Sequence, residues 1–242
     1  MDSSVYRLMA QTQEAHWWFA GRRKILRAII AQLRLPARAR ILEIGCGTGG
    51  NLPMLTQFGT VCAVEIDDFA LARAREVSNC EIQKGWLPDR IPFQGQLFDL
   101  VCLLDVLEHV EDDEAALSAV AKRIKPGGLA VVTVPAYPWL YGSHDRLHHH
   151  YRRYTAGHLR RKATVAGLQV LRLGYFNALL FPLIAAVRLC KRVLPSGEQD
   201  EAVLPGHKLN RWLYGVLSFE AAFVPRAFFP FGATCIAVLE RR

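Results

Sequence analysis

Paired cysteines, a leader-like amino terminus and a long uncharged apolar run are all absent from this sequence. Its six cysteines are scattered without a Cys-x-x-Cys pair, which disfavours a structural zinc site and a disulfide framework. The opening residues, MDSSVYRLMAQTQEAHWWF, carry neither the basic segment nor the apolar run of a signal peptide. We therefore expect a reduced protein that stays in the cytoplasm.

Charge is distributed unevenly along the 242 residues. Residues 1–150 carry 16 lysines and arginines against 17 acidic residues, whereas residues 151–242 carry 14 against five. A basic carboxy-terminal part favours an anionic partner, either nucleic acid or a phospholipid surface. Hydrophobic residues make up 51% of the chain, which is typical of a globular protein with one sizeable core.

Short apolar runs alternate with helical patterns through the first two thirds of the chain. Near-helical apolar spacing predicts an amphipathic helix over residues 14–33, with a break near Gly21. Strands are then predicted around residues 41–44, 60–67, 98–106 and 129–135, with helices between them and a turn at KPGG (residues 125–128). Strands separated by helices predict right-handed crossovers and a parallel sheet covered on both faces.

The pattern changes after residue 175. Residues 176–195 form an apolar stretch with basic residues near its end, and a polar linker, SGEQDE, leads to a second apolar helix around residues 208–224. The first stretch is too short and too charged to span a bilayer, but it suits a helix lying in the membrane interface; an ordinary core hairpin is the alternative. We predict one domain, divided into amino-terminal cap helices (1–37), core (38–175), apolar helical insertion (176–225) and final strand (226–242).

The glycine-rich segment EIGCGTGG, residues 43–50, fits two cofactor loops. Gly45, Gly47 and Gly50 match the G-x-G-x-x-G pattern of dinucleotide folds, with Glu65 twenty residues after the first glycine. The same loop, with its preceding acid, also resembles the cofactor loop of class I S-adenosylmethionine-dependent methyltransferases. An acid ahead of the glycines suits a cationic sulfonium better than a pyrophosphate, which needs bare N–H groups and a helix amino terminus.

The segment LFDLVCLLDVLEHVEDDEAALSAVAKRIKPGGLAVVTVP, residues 97–135, closely resembles the second half of that methyltransferase core. The resemblance covers residues 38–135 and implies a Rossmann-like, doubly wound, mostly parallel α/β sheet of seven strands with helices on both faces. A looser resemblance links residues 16–23 (HWWFAGRR) and 150–154 (HYRRY) to a subgroup with hydrophobic, sometimes membrane-linked acceptors.

The resemblance assigns cofactor roles to individual residues. It places one group around the amino-acid tail of S-adenosylmethionine: Glu43, Gly45, Gly47 and Gly49. Glu65 is implied to bind the ribose hydroxyls, as bidentate carboxylate hydrogen bonding favours, and Ile66 to cover the adenine. Trp86 stands where the family often has an acid near the adenine, and Asp105 follows the fourth strand, where the tail or the acceptor is positioned.

The histidine-rich segment GSHDRLHHHYRRYT, residues 142–155, follows the fifth strand and is therefore expected to form an acceptor wall. His109, His144 and His150 are the candidate general bases, because a neutral histidine titrates near pH 7. Four further residues are candidates for acceptor contacts: Tyr137, Arg152, Arg153 and Tyr154. Three consecutive histidines cannot all turn toward one ion, so no metal is expected; a solvated polar loop is the alternative.

Together these patterns predict S-adenosylmethionine-dependent methyl transfer to a small or lipid-like hydrophobic acceptor, at oxygen. We expect peripheral contact with an anionic membrane, at its inner face, because apolar and basic groups are combined in the last third. Methylation of RNA is one alternative, although no RNA-binding motif is present and nucleic acid is therefore disfavoured as a partner. A non-catalytic module that binds S-adenosylmethionine and an NAD-dependent oxidoreductase are the others.

Overall fold

A computed structural model describes residues 3–193 and 203–242 of the protein, and its centre is one sheet of seven strands. The strands are β1 (Ala39–Ile44), β2 (Gly59–Glu65), β3 (Glu81–Lys84), β4 (Phe98–Leu104), β5 (Ile124–Pro135), β6 (Leu168–Phe176) and β7 (Thr234–Arg241). They lie in the order β3-β2-β1-β4-β5-β7-β6. Neighbours among the first five pair in parallel, and β7 runs antiparallel to both β5 and β6. The predicted mostly parallel, Rossmann-like sheet is confirmed.

Helices cover both faces of the sheet. They are α1 (Ser3–Thr12), α2 (Trp17–Ile30), α3 (Leu52–Leu55), α4 (Asp68–Val77), α5 (Asp113–Ala121), α6 (Ser143–Leu147), α7 (Ala156–Val165), α8 (Phe181–Val193) and α9 (His207–Phe219). One buried cluster joins the sheet to α5 and α7, and a second joins its other face to α2, α3, α4 and α9. The central strands are apolar on both faces because each face is buried.

The predicted break near Gly21 is wrong. The break lies at residues 13–16, where α1 ends and His16 caps α2 by accepting a hydrogen bond from Trp18 N–H. Gly21 lies inside α2, where a Cβ atom would stand 2.7 Å from Leu217 Cδ2 of α9. The glycine therefore permits the close packing of two helices.

The predicted turn at KPGG lies within β5 as an irregularity of the strand. Pairing with β4 shifts there, from Phe98 with Ile124 to Leu100 with Leu129, and Gly127 has a φ of 74°. A positive φ is readily adopted by glycine, so the extra residues leave the ladder without ending the strand.

The chain order reverses between β1 and β4, which are neighbours in the sheet although β2 and β3 intervene in sequence. In open α/β sheets, ligands bind at such a switch point, outside the carboxyl ends of the strands. The glycine loop after β1 and the loop after β4 meet at this edge.

The last third of the chain contains the helices α8 and α9, and both belong to the predicted apolar insertion. Among the described residues, no helix has both the length and the apolar character needed to cross a membrane. The predicted linker SGEQDE, residues 196–201, lies outside the described residues.

Candidate active site

The glycine loop after β1 has the left-handed backbone that only glycine adopts without strain. The φ angles of Gly45, Gly47 and Gly49 are 74°, 55° and 85°. A Cβ atom on Gly45 would stand 2.6 Å from Val106 Cγ2, so the loop packs directly against the segment after β4. The glycine at position 45 therefore brings the loop and the segment after β4 into direct contact at the switch point.

Glu65 closes β2 beside this loop and is only 2% exposed. Its carboxylate accepts hydrogen bonds from the N–H groups of Gly47 at 2.7 Å, Ile66 at 2.9 Å and Asp67 at 3.0 Å. Tyr6 of α1 donates its hydroxyl to the same carboxylate at 3.4 Å. Burial raises the pKa of Glu65 against the lowering effect of the backbone donors. Glu65 therefore holds the glycine loop in shape, and its role at the ribose stays a prediction.

Glu43 is fully buried within β1. Its Oε1 accepts a hydrogen bond from Asn51 at 2.8 Å, while its Oε2 has no hydrogen-bond partner among the described residues. Burial raises the pKa of Glu43 to about 7, although Asn51 and the charge of Arg22 oppose the shift. A buried carboxyl with an open oxygen is suited to meet a cation.

Asp105 follows β4 with a φ of 60° and forms an ion pair with Arg22 at 2.8 Å. Thr133 of β5 donates its hydroxyl to the Asp105 carboxylate at 3.1 Å. Arg22 is 5% exposed, and its Nε has no hydrogen-bond partner in the part of the chain that the structure describes. Sequence reasoning missed Arg22 as a site residue, although it belongs to the HWWFAGRR segment that the resemblance had singled out.

Ile66 and Trp86 follow the neighbouring strands β2 and β3 and so reach the same sheet edge. Ile66 is 53% exposed, which leaves its side chain available to a ligand. Trp86 is half-buried, with the Arg90 guanidinium 5.1 Å from the ring centroid.

A cluster of imidazoles lies beyond Asp105, between the loops that follow β4 and β5. The ring centroids of His109 and His150 are 4.6 Å apart, and those of His144 and His148 are 4.3 Å apart. Burial and the rings of His150 and His148 lower the pKa of His109 to about 3. Burial and the His148 ring also hold the pKa of His144 well below its usual range. Both rings are therefore neutral at pH 7 and are weak proton acceptors.

Asp145 organises this cluster from α6 and is fully buried. It binds His150 Nδ1 at 2.9 Å and accepts from Arg153 Nε at 2.7 Å and from Gly142 N–H at 2.9 Å. Burial alone would raise the pKa of Asp145, but the hydrogen bonds from His150 and Arg153 outweigh it and hold the pKa well below its usual range. Of the three predicted bases, His150 is the one that an ionised carboxylate orients.

Asp113, the first residue of α5, contacts two of the residues predicted to bind the methyl acceptor. The Tyr154 hydroxyl donates to the Asp113 carboxylate at 2.7 Å, and Arg152 lies 2.9 Å from it. Tyr154 is 1% exposed, so its ring belongs to the core and its hydroxyl stabilises the packing of the loops after β4 and β5.

Tyr137, the remaining acceptor candidate, follows β5 in an aromatic group that reaches the surface. Its ring stacks on Tyr175 at 5.2 Å between centroids, and its neighbours include Trp139 at 5.9 Å and Phe181 at 5.3 Å. Phe181 also contacts Phe231 at 6.1 Å. Trp139 and Phe231 are nearly half exposed. This aromatic wall (Tyr137, Trp139, Phe181, Phe231) connects the sheet edge with helix α8.

The sheet order, the glycine loop and the acids at the switch point are typical of an α/β protein that binds a ligand between β1 and β4. The family described as "Methyltransferase domain" matches residues 18–173, and the chain belongs to this family. This membership confirms the predicted methyltransferase class, and S-adenosylmethionine is the cofactor that this family binds.

Two curated proteins are similar in sequence to about half of this chain. A ubiquinone biosynthesis O-methyltransferase from Xanthomonas axonopodis pv. citri is 32% identical over 126 residues, which are 46% of this chain and 53% of that protein. An uncharacterized methyltransferase from Schizosaccharomyces pombe is 31% identical over 129 residues, 45% of this chain and 46% of that protein. The chain thus spans about half the length of these curated relatives.

Solved structures share the fold at low identity. The N-methyltransferase NodS from Bradyrhizobium japonicum, in complex with S-adenosyl-l-homocysteine, superposes with a TM-score of 0.55 at 15% identity over 92% of this chain and 87% of that one. An S-adenosylmethionine dependent methyltransferase from Mesorhizobium loti gives 0.57 at 18% identity, over 88% and 96%. This similarity establishes the architecture.

Proposed function

We propose that this methyltransferase transfers the methyl group to a hydroxyl of a small, lipid-like hydrophobic acceptor at the inner surface of an anionic membrane. The observation that carries the proposal is the aromatic wall, which begins at the acceptor end of the active site and continues onto exposed apolar helices. The alignment with ubiquinone biosynthesis O-methyltransferases supports oxygen as the methylated atom.

The cofactor occupies the switch point in this proposal. Glu43, Asp105 and the backbone of Gly45, Gly47 and Gly49 meet its ammonium and sulfonium charges, while Arg22 binds its carboxylate. Glu65 takes the ribose hydroxyls, and Ile66 and Trp86 flank the adenine. Opposite charges at short distance favour this orientation because charge-assisted hydrogen bonds are the stronger ones.

The acceptor then lies between the methyl group and the histidine cluster. An oxygen lone pair forms the new C–O bond as the carbon–sulfur bond breaks, and the electron pair of that bond neutralises the sulfonium to a thioether. In this proposal the hydroxyl proton passes to water beside the cluster of His109, His144 and His150, because neutral His109 and His144 are weak proton acceptors. Alignment of the three atoms supplies much of the rate acceleration.

Exposed apolar side chains lie on α8, which begins in the aromatic wall, and exposed apolar and basic side chains lie next to one another on α9. Leu183 and Val187 stand one turn apart on α8 and are 51% and 44% exposed. On α9, Leu209 and Trp212 are more than half exposed, and the basic residues Lys208 and Arg211 are exposed beside them. Apolar groups with flanking cations favour insertion into the headgroup region of an anionic bilayer.

Vesicle binding tests the membrane part of the proposal. The wild type is expected to sediment with vesicles of anionic phospholipid and to remain in the supernatant with zwitterionic ones. The double variant Leu183→Ser/Val187→Ser is expected to lose most of this binding, whereas Val165→Ser, a matched change at a 62% exposed position on α7, keeps it. Equal binding by all three proteins, or no binding by the wild type, would contradict the proposed surface.

A further inference from the structure

Three potential metal ligands meet on the acceptor side of the active site. One ligand atom each of Glu108, His109 and His150 can be chosen so that all three lie within 4.8 Å of one another. A transition-metal ion with bonds of about 2.1 Å holds its ligand atoms roughly 3.4 Å apart. A modest rotation of side chains would therefore close this group on an ion.

Glu108 is the ligand whose position needs an explanation. It is 1% exposed, and its Oε2 has no hydrogen-bond partner among the residues that the structure describes. Burying a carboxylate without a partner is costly, so such an oxygen is usually matched by a donor or a cation. The two imidazoles next to it are the side chains best suited to share a cation with it.

His150 has the hydrogen-bonded carboxylate that commonly supports a metal-binding histidine. Its Nδ1 is bound by the buried Asp145 carboxylate at 2.9 Å, which leaves Nε2 to face a ligand. Arg153 donates to the same carboxylate oxygen and the Gly142 N–H to the other one, so the carboxylate is held in place. A carboxylate behind a ligating histidine fixes the orientation and raises the basicity of the imidazole.

We propose that Glu108, His109 and His150 bind one divalent transition-metal ion, such as Zn²⁺, Mn²⁺ or Fe²⁺. Two imidazoles and one carboxylate leave coordination positions open, as in sites that bind a substrate. The expectation that no metal binds considered only His148, His149 and His150 together. In the structure His149 is exposed, and the group is completed by two residues of the loop after β4.

The ion would face the acceptor, and this part of the inference rests on the proposed function. Asp105, the acid assigned to the cofactor site, precedes Glu108 by only three residues in the loop after β4. A hydroxyl oxygen bound to such an ion loses its proton to water more easily, because the ion stabilises the resulting negative charge. The site would thus supply an ionised acceptor oxygen facing the methyl group.

Calorimetric titration of chelator-treated full-length protein with Zn²⁺, and separately with Mn²⁺, tests the inference without cofactor or acceptor. The wild type is expected to bind one ion per chain. Glu108→Gln and His150→Gln are expected to bind it about tenfold or more weakly. His158→Gln, a change at an exposed histidine of α7, serves as the matched control and should bind as the wild type does.

Co²⁺ absorption provides a second readout that does not depend on the folding of any variant. Visible bands typical of nitrogen-ligated Co²⁺ are expected from the wild type, and their absence would overturn the inference. Equal Zn²⁺ affinity in all four proteins would also overturn it. Methyl transfer that persists fully in chelator, without metal binding, would refute the metal site alone, whereas metal binding without transfer to any hydroxyl would refute the proposed function alone.

Discussion

The buried carboxyl of Glu43 makes the stability of this protein depend on pH in a direction that can be calculated. Burial raises its pKa from an ordinary value of 4.5 to about 7. A difference of about 2.5 pKa units corresponds to about 3 kcal/mol, at about 1.4 kcal/mol for each unit. Because the pKa in the folded state is the higher one, this stability is fully present below pH 4.5 and is lost as the pH rises to about 7.

Glu43→Gln removes the titrating group while keeping a similar shape. Between pH 4.5 and 8, the free energy of unfolding of the wild type should fall by about 3 kcal/mol relative to that of the variant. Urea unfolding at a series of pH values measures this difference. Glu76→Gln, at a surface ion pair with Arg73, is the control and should leave the pH profile of the wild type unchanged.

The same carboxyl should link cofactor binding to pH. A cation placed against Glu43 binds the ionised form better, so the affinity for S-adenosylmethionine should rise with pH until about 7 and then level off. In Glu43→Gln this rise should disappear. Parallel unfolding profiles for the wild type and Glu43→Gln, together with an unchanged pH dependence of binding, would refute the reasoning.

Three further substitutions test separate parts of the site. Arg22→Met should weaken S-adenosylmethionine binding by roughly 10- to 100-fold, as expected for a lost charged hydrogen bond of about 1.5–3 kcal/mol, while Arg27→Met on the exposed side of α2 should not; calorimetry measures both. Gly49→Ala forces a side chain onto a backbone with a φ of 85°, and its Cβ would stand 2.9 Å from Val77, so thermal unfolding should occur at a lower temperature and cofactor affinity should fall. Tyr154→Phe removes the hydroxyl that donates a hydrogen bond to Asp113, and the free energy of unfolding should fall by about 1–2 kcal/mol. Urea unfolding measures this difference, and an unchanged value would contradict the role assigned to this contact.

The features that the sequence predicted well are local ones. The alternation of strands and helices and the glycine-rich turn after the first strand are each encoded within a short segment, so the mostly parallel sheet could be predicted before any coordinates. The break predicted at Gly21 was wrong because this position requires a glycine for its contact with Leu217, which is distant in sequence. A local sequence pattern does not reveal such a contact.

The parts of the site that sequence reasoning missed depend on contacts between remote segments. Arg22 reaches Asp105 across 83 positions, and Tyr6 reaches Glu65 across 59. The histidine segment was read as a unit, but in the structure His149 is exposed, while His150 lies beside His109 and Glu108 of another loop. Residue type and spacing identify candidates, and only the packing of loops decides which of them meet.

The identity of the methylated product tests the central claim most directly. The protein is incubated with S-adenosylmethionine carrying a labelled methyl group, anionic vesicles containing phenolic and quinol lipids, and total RNA, and the products are analysed by mass spectrometry. The account predicts the label in a solvent-extractable methyl ether, with little transfer when Glu65 is replaced by Ala. Label in RNA, on nitrogen, or in no product despite tight cofactor binding would contradict it.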